Sequence, residues 1–238
     1  MRSIQKRNRQ TALPALAVPD RDGTPVLSFP GEIIENVRYV YTRIGNKEGQ
    51  LPKSLSIVSA LREEGVTTIS QAMAATLAYD LRARVCWVDL NWWSPSTSPL
   101  IDPDHPGLSD VFAGEAHLAD VILRTGWRSL YLLPAGRMPR ESRPVVARTP
   151  HLKGMLDELS LQFDYMVFDI PAILSTNDSV PLASLGSECC LVIRQGVTTV
   201  EDVRLALDEI SHLKVAGVIL NRVIVETPKL LLRLLPTQ

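Results

Sequence analysis

Ser59-Ala60-Leu61-Arg62-Glu63-Glu64-Gly65-Val66-Thr67-Thr68 is the stretch on which the reading of this chain turns. Ala60, Gly65 and Thr67 have the spacing of a phosphate-binding loop, in which Ala or Gly is followed by four residues and then by Gly-Lys-Ser/Thr. Val66 stands where that pattern has its lysine. Upstream, Leu55-Ser56-Ile57-Val58 is a short apolar run of strand type. Downstream, Ile69, Ala72, Met73, Thr76, Leu77, Tyr79 and Leu81 recur near helical spacing in an alanine-rich segment. Strand, loop and helix in that order are what phosphate binding requires, because the helix N-terminus directs free N–H groups and the positive end of its dipole at the anion. Over this window alone, an ordinary strand-to-helix turn reads the same way.

The rest of the chain extends the pattern. Strands are expected at 55–60, 84–89, 129–133, 165–169, 189–194 and 215–220, and helices at 32–44, 67–82, 117–124, 151–162 and 199–213. Buried apolar strands alternating with amphipathic helices predict an α/β fold: a P-loop NTPase-like (Rossmann-like), mostly parallel sheet with helices on both faces. Residues 92–106 and 135–150, rich in Ser, Pro, Asp and Arg, read as loops. Three regions are expected: an N-terminal arm or linker over 1–28, a P-loop domain over 29–226, and a basic-apolar tail over 227–238. In such sheets ligands sit beyond the carboxyl ends of the strands. Asp89 and Asp169 end two of the buried strands, where hard carboxylate oxygens would hold Mg²⁺ directly or through its waters. A strand-terminal Asp that only caps the next turn is the alternative for either one alone.

Composition narrows the class. The 238 residues suffice for one large domain, and 45% hydrophobic with 21% charged residues is the balance of a globular protein. A formal net charge of -1 argues neither for nucleic acid nor for an anionic membrane surface, and no nucleic-acid partner is expected. Cys86, Cys189 and Cys190 lie in apolar runs and read as buried free thiols of a reducing compartment. No stretch reaches roughly 18 uninterrupted apolar residues, and the basic start lacks a signal-peptide core, so a cytoplasmic location is expected. His105, His117, His151 and His212 have no metal-ligand spacing.

Longer motifs carry a resemblance. Gly107-Leu108-Ser109-Asp110-Val111-Phe112-Ala113-Gly114-Glu115, Leu132-Leu133-Pro134-Ala135-Gly136, Phe163-Asp164-Tyr165 through Asp169-Ile170-Pro171, Asp178, Arg194-Gln195-Gly196, Thr198-Thr199 and Leu220-Asn221-Arg222-Val223 fall in register with one family. From about Glu35 to Val223 the chain resembles the bacterial tyrosine kinases of capsule and exopolysaccharide synthesis, which are grouped with the Min and Par ATPases. The resemblance implies a Mg-ATP site. Its nucleotide-binding residues would be Ala60, Gly65, Thr67, Thr68 and Asn221, with Asn221 at the purine-contacting position; Thr67, Asp89 and Asp169 would hold the metal. It also implies homo-oligomerisation through the helix bearing Arg38 and Thr42, and a membrane polysaccharide co-polymerase as partner.

The departures from the family lie at the chemistry. Its loop reads Pro-Gly-Glu-Gly-Lys-Ser/Thr, where this chain has Arg62-Glu63-Glu64-Gly65-Val66-Thr67. Its second acid is Asn91, its arginine pair is Trp93-Ser94, Tyr41 replaces an arginine of the oligomerisation helix, and no Tyr follows Tyr165. Losing the lysine's charge-assisted contact costs about 1.5–3 kcal/mol of binding, and Glu63 brings a carboxylate to a loop that must approach phosphate. The expectation is a pseudokinase-like scaffold of exopolysaccharide biosynthesis with weak or no Mg-ATP binding and vestigial Asp89 and Asp169. The alternatives are an active kinase or ATPase with an atypical loop, and a Min/Par-like positioning protein. Trp92 and Trp93 read equally as an exposed docking patch, as fillers of the vacated site, or as loop packing. The tail residues Leu230, Leu231, Arg233 and Leu234 are expected to dock on the domain itself, on the partner, or peripherally at the inner face of the cell membrane.

Overall fold

The computed structural model describes residues 15–223. The expected tail contacts at Leu230, Leu231, Arg233 and Leu234 lie outside them. The described chain runs β1 (Leu16–Pro19), β2 (Pro25–Phe29), α1 (Gly31–Glu48), β3 (Ser54–Ser59), α2 (Val66–Asp80), β4 (Val85–Asp89), α3 (Leu108–Ala113), α4 (Leu118–Val121), β5 (Leu123–Arg124), β6 (Leu130–Leu133), α5 (Arg143–Val146), α6 (Pro150–Ser160), β7 (Tyr165–Asp169), α7 (Ser179–Ala183), β8 (Glu188–Arg194), α8 (Val200–Glu209) and β9 (Val215–Asn221).

A seven-stranded sheet in the order β5-β6-β4-β7-β3-β8-β9 forms the centre, parallel except for the short β5. One apolar layer, including Trp92, Leu133, Leu152, Leu159, Phe168 and Ile210, packs on one face. A second, including Ile34, Val37, Ile57, Met73, Leu77 and Trp87, packs on the other. Both faces are therefore covered, as the unbroken apolar strands require. The α2 helix is buried along nearly its whole length, from Val66 to Ala78. Its alanines at 72, 74, 75 and 78 leave room for α1 and the sheet to approach on opposite sides. Arg38 on α1 ties the two helices through paired bonds to Asp80 at 2.8 Å, and the Tyr41 hydroxyl donates to the same carboxylate at 2.9 Å.

Some elements differ from expectation. Residues 16–29, read as part of an arm, pair as an antiparallel hairpin whose Val18 and Phe29 enter the core. Asp20 shapes the turn by accepting the Asp22 and Thr24 N–H groups, and Gly23 supplies a φ of 88°. The helix expected over 117–124 stops at Val121. Ile122 turns extended, and Leu123 and Arg124 pair with β6 instead. The loop expected over 135–150 contains the single turn α5.

Candidate nucleotide site

The site lies at the carboxyl edge of the three central strands β4, β7 and β3. The β3 strand delivers the loop Ala60–Gly65, and Gly65 opens α2 with φ 95°. That conformation suits glycine, and a Cβ there would also collide with the Asn221 side-chain amide. Glu63 adopts a positive φ of 63°.

The loop is held from inside. Glu64 is fully buried, its Oε2 accepts the Leu61 N–H at 2.8 Å, and the Thr198 hydroxyl donates to Oε1. The Asn221 Nδ2 donates to the Glu64 carbonyl at 2.8 Å, while its Oδ1 accepts the Arg222 N–H. Sequence reasoning placed Glu64 in the loop but missed this role. Thr198 follows the end of β8 by four residues and Asn221 ends β9, and nothing in their spacing marks a contact with Glu64.

A cavity of about 370 Å³ opens over the loop, lined by Arg62, Glu63, Gly65, Val66, Thr67 and Thr68 from one side and Asn91, Trp93, Pro171 and Thr176 from the other. Gly65, Thr67 and Thr68 line this cavity. Ala60 is buried at the loop's foot, and Asn221 is engaged with Glu64. Val66 is 8% exposed and apolar at the loop-helix junction. A larger cavity of about 850 Å³, around Lys53, Arg84 and Lys214, lies at the other edge of the sheet, away from the loop.

Asp89 and Asp169 stand opposite each other in the β4–β7 pairing. The Asp89 oxygens accept the Asn91 N–H at 2.8 Å and the Ser96 N–H at 2.7 Å. Burial nevertheless pushes its carboxyl up to about 7, the two backbone bonds opposing the rise. Asp169 is wholly buried and neither oxygen has a hydrogen bond of full geometry. The nearby Thr67 and Ser70 hydroxyls act to lower its pKa, yet the Ser70 hydroxyl donates to the Thr67 carbonyl. Burial first, and the Asp89 charge second, hold the Asp169 carboxyl well above its usual range. A pair of unsatisfied buried oxygens is what a hard cation would satisfy. No cluster of three or more His, Cys, Asp or Glu capable of holding a metal exists among the described residues.

Trp92 and Trp93 part company. Trp92 is buried and donates to the Ala135 carbonyl at 2.9 Å, which is loop packing. Trp93 walls the cavity, donates to Asp178 Oδ2 at 2.9 Å, and lies under the guanidiniums of Arg62 and Arg143. On α1, Arg38 is engaged with Asp80 and Glu35, and Thr42 is exposed. The three cysteines are buried and free.

A glycine-ended loop at a helix N-terminus, two buried strand-end carboxylates beside it, and a mostly parallel sheet covered on both faces define a P-loop NTPase-like protein. The chain's homologues and structural neighbours are bacterial tyrosine kinases of capsular and exopolysaccharide biosynthesis, on a fold shared with MinD. The tyrosine-protein kinase Etk of Escherichia coli is 25% identical over 93% of this chain and 30% of its own length. The succinoglycan biosynthesis transport protein ExoP of Rhizobium meliloti is 29% identical over 73% of this chain and 23% of its own. This chain therefore spans a third or less of those two, whereas it covers 77% of the tyrosine-protein kinase CpsD of Streptococcus agalactiae at 27% identity. Among solved structures, the chimerical protein CapA2B2 superposes with a TM-score of 0.74 at 20% identity, over 79% of this chain and 84% of that one. The cell-division ATPase MinD of Pyrococcus furiosus superposes at 0.59 with 30% identity, over 72% and 73%. No protein-family profile matches the chain. Among the described residues, no helix is long and apolar enough to cross a membrane.

Proposed function

We propose that this chain is a pseudokinase-like P-loop scaffold of exopolysaccharide biosynthesis that binds Mg-ATP weakly or not at all. The carrying observation is Val66, a buried apolar side chain at the loop position where a cation would meet the phosphates. Electrostatic stabilisation of developing charge is usually the largest part of such catalysis, and losing one such contact costs about 10²–10³ in rate. Glu63, at the mouth of the same cavity, opposes a polyanion further. Bound Mg²⁺ would neutralise phosphate charge, held by Asp169 with Thr67 and Asp89 alongside. Gly65, Thr67 and Thr68 would orient the phosphates. Chemically, then, the site retains its shape and its acids while lacking the cation that drives transfer.

By this reading the protein works through contacts. Its partner would be a membrane polysaccharide co-polymerase, with self-association through the α1 surface that carries Arg38 and Thr42. Similarity to the succinoglycan biosynthesis transport protein ExoP and to the tyrosine-protein kinase CpsD supports that setting. The competing reading, an active ATP-dependent kinase with an atypical loop, draws its support from Asp169, whose unsatisfied oxygens keep a cation site in place. Incubation with Mg-ATP followed by mass spectrometry decides between them. The expected result is no phosphotyrosine. Stoichiometric phosphotyrosine that disappears in Asp169→Ala would sink the scaffold reading.

A further inference from the structure

The loop lacks a cation at position 66, but Arg62 lines its cavity and Arg143 lines the neighbouring one, with Trp93 shared between them. Arg62 reaches over Trp93 with its guanidinium carbon 5.6 Å from the ring centroid, and Arg143 does so at 4.8 Å. The two arginines come from different places, one from the phosphate loop and the other from α5, beyond β6. They meet because the indole is fixed: its Nε1 donates to Asp178, which is wholly buried. The Arg143 Nε donates to the Met138 carbonyl at 3.1 Å, which leaves the rest of its fork uncommitted to that bond.

We propose that Arg62 and Arg143, carried on Trp93, form an anion-recognition wall that stands in for the missing lysine, and that the ligand class is a pyrophosphate-bearing small anion such as a nucleoside diphosphate. This rests on the P-loop reading above and locates the source of its residual affinity. Three features favour an anion at this wall. Guanidinium forks match phosphate oxygens in pairs. The cavity on one side of Trp93 contains Gly65, Thr67 and Thr68 at the start of α2, where N–H groups are free to meet phosphate. A second cavity of about 480 Å³ shares Trp93 and is lined by Arg137 and Arg143, with Asp89 and Asp102 as opposing carboxylates, so the wall has room on the Arg143 side as well. Asp178, through its bond to the indole, adds electron density to the ring and strengthens its hold on both cations. Its other oxygen is buried without a partner. Two carboxylates line the loop cavity against this. That of Glu64 is occupied by Leu61 and Thr198, which leaves Glu63 as the opposing charge.

The test is calorimetric titration of the full chain with inorganic pyrophosphate and with ADP, at low and at raised salt, alongside Trp fluorescence. Pyrophosphate should bind with an affinity that falls as salt rises. Arg62→Ala and Arg143→Ala should each weaken it about tenfold, the size of a lost charge-assisted contact. Arg62→Lys should recover part of the loss, and Glu63→Gln should tighten binding. Unchanged melting temperatures in the arginine variants separate lost recognition from lost folding, and Glu63→Gln provides a gain no misfolded protein would show. Absence of pyrophosphate binding to the parent chain, or equal affinity in the parent and both alanine variants, overturns the wall. Those outcomes leave the scaffold reading standing, whereas phosphotyrosine formation removes the scaffold reading and leaves the wall.

Discussion

Asn221, the last residue of β9, donates its side-chain amide to the Glu64 carbonyl inside the phosphate loop at 2.8 Å. The same amide occupies the space that a Cβ on Gly65 would need. One residue at the margin of the sheet therefore both supports the loop and forbids a side chain in it. Asn221→Ala should cost about 0.5–1.5 kcal/mol for the lost bond and speed amide exchange across residues 61–67. Gly65→Ala should cost about 1–3 kcal/mol from its left-handed backbone alone, and more while Asn221 is present. The double variant should be more stable than the sum of the two losses predicts. Chemical denaturation of all four proteins measures that coupling, and strict additivity would show that the two residues do not compete for space.

The paired acids set a pH dependence. Asp89, with its carboxyl raised to about 7, and Asp169, raised well above its usual range by burial and by the Asp89 charge, hold protons in the folded state that the unfolded chain releases near pH 4. In that window the folded state binds more protons, so stability falls as pH rises from about 4 through 7. Urea unfolding should give a higher midpoint at pH 5 than at pH 8, and Asp169→Asn should flatten the difference. At pH 8 that variant should be more stable than the parent by about 1–3 kcal/mol, the usual penalty of an unsatisfied buried polar group. A parent whose midpoint rises with pH over this range would contradict the assignment.

Restoring the loop is the converse experiment. Glu63→Gly with Val66→Lys removes an opposing carboxylate, relieves the positive φ at 63 and returns a cation to the start of α2. Mg-ATP should bind the double variant more tightly by a few kcal/mol, about tenfold or more in affinity. Equal affinity in parent and variant would mean that the loop's shape, set by Glu64, Thr198 and Asn221, no longer admits phosphate.

The Arg38–Asp80–Tyr41 cluster should be structural before it is anything else. Asp80 is drawn well down by the Arg38 hydrogen bond and Tyr41 is pushed up to about 12 by burial and by its bond to Asp80. Because the cluster is partly exposed, Asp80→Asn should cost only about 1 kcal/mol, seen as faster amide exchange in α1 relative to the sheet. A global loss of several kcal/mol would show that α1 is integral to the core's cooperativity.

Much of this was legible in the chain. The central strands and α2 follow from apolar runs and alanine content, and the loop from three residues at fixed spacing. What escaped was set by contacts far apart in sequence. Periodicity carries no record that Thr198 and Asn221 close on Glu64 across more than a hundred residues, or that Arg143 shares an indole with Arg62. The hairpin at 16–29 was hidden because its strands are four and five residues long and proline-bearing, and what orders them is burial of Leu16, Val18 and Phe29 in an apolar layer drawn from distant parts of the chain. Leu123 and Arg124 were drawn from helix to strand because β6 had an edge to cover.

Among the described residues the sheet ends at β9, and from Val215 to Asn221 that strand has no charged residue and no proline. Val218 and Leu220 are exposed along it, and the one irregularity in its pairing lies at the end remote from the loop. Proteins usually guard such a margin with lysine, proline or a bulge, since its open main-chain groups template further strands. At high concentration this edge should promote self-pairing, and Val218→Lys should raise solubility without lowering the melting temperature. Because β9 finishes in Asn221, any segment that adds to this margin also grips the strand whose last side chain holds the phosphate loop, and its pull would reach Glu64 through a single hydrogen bond.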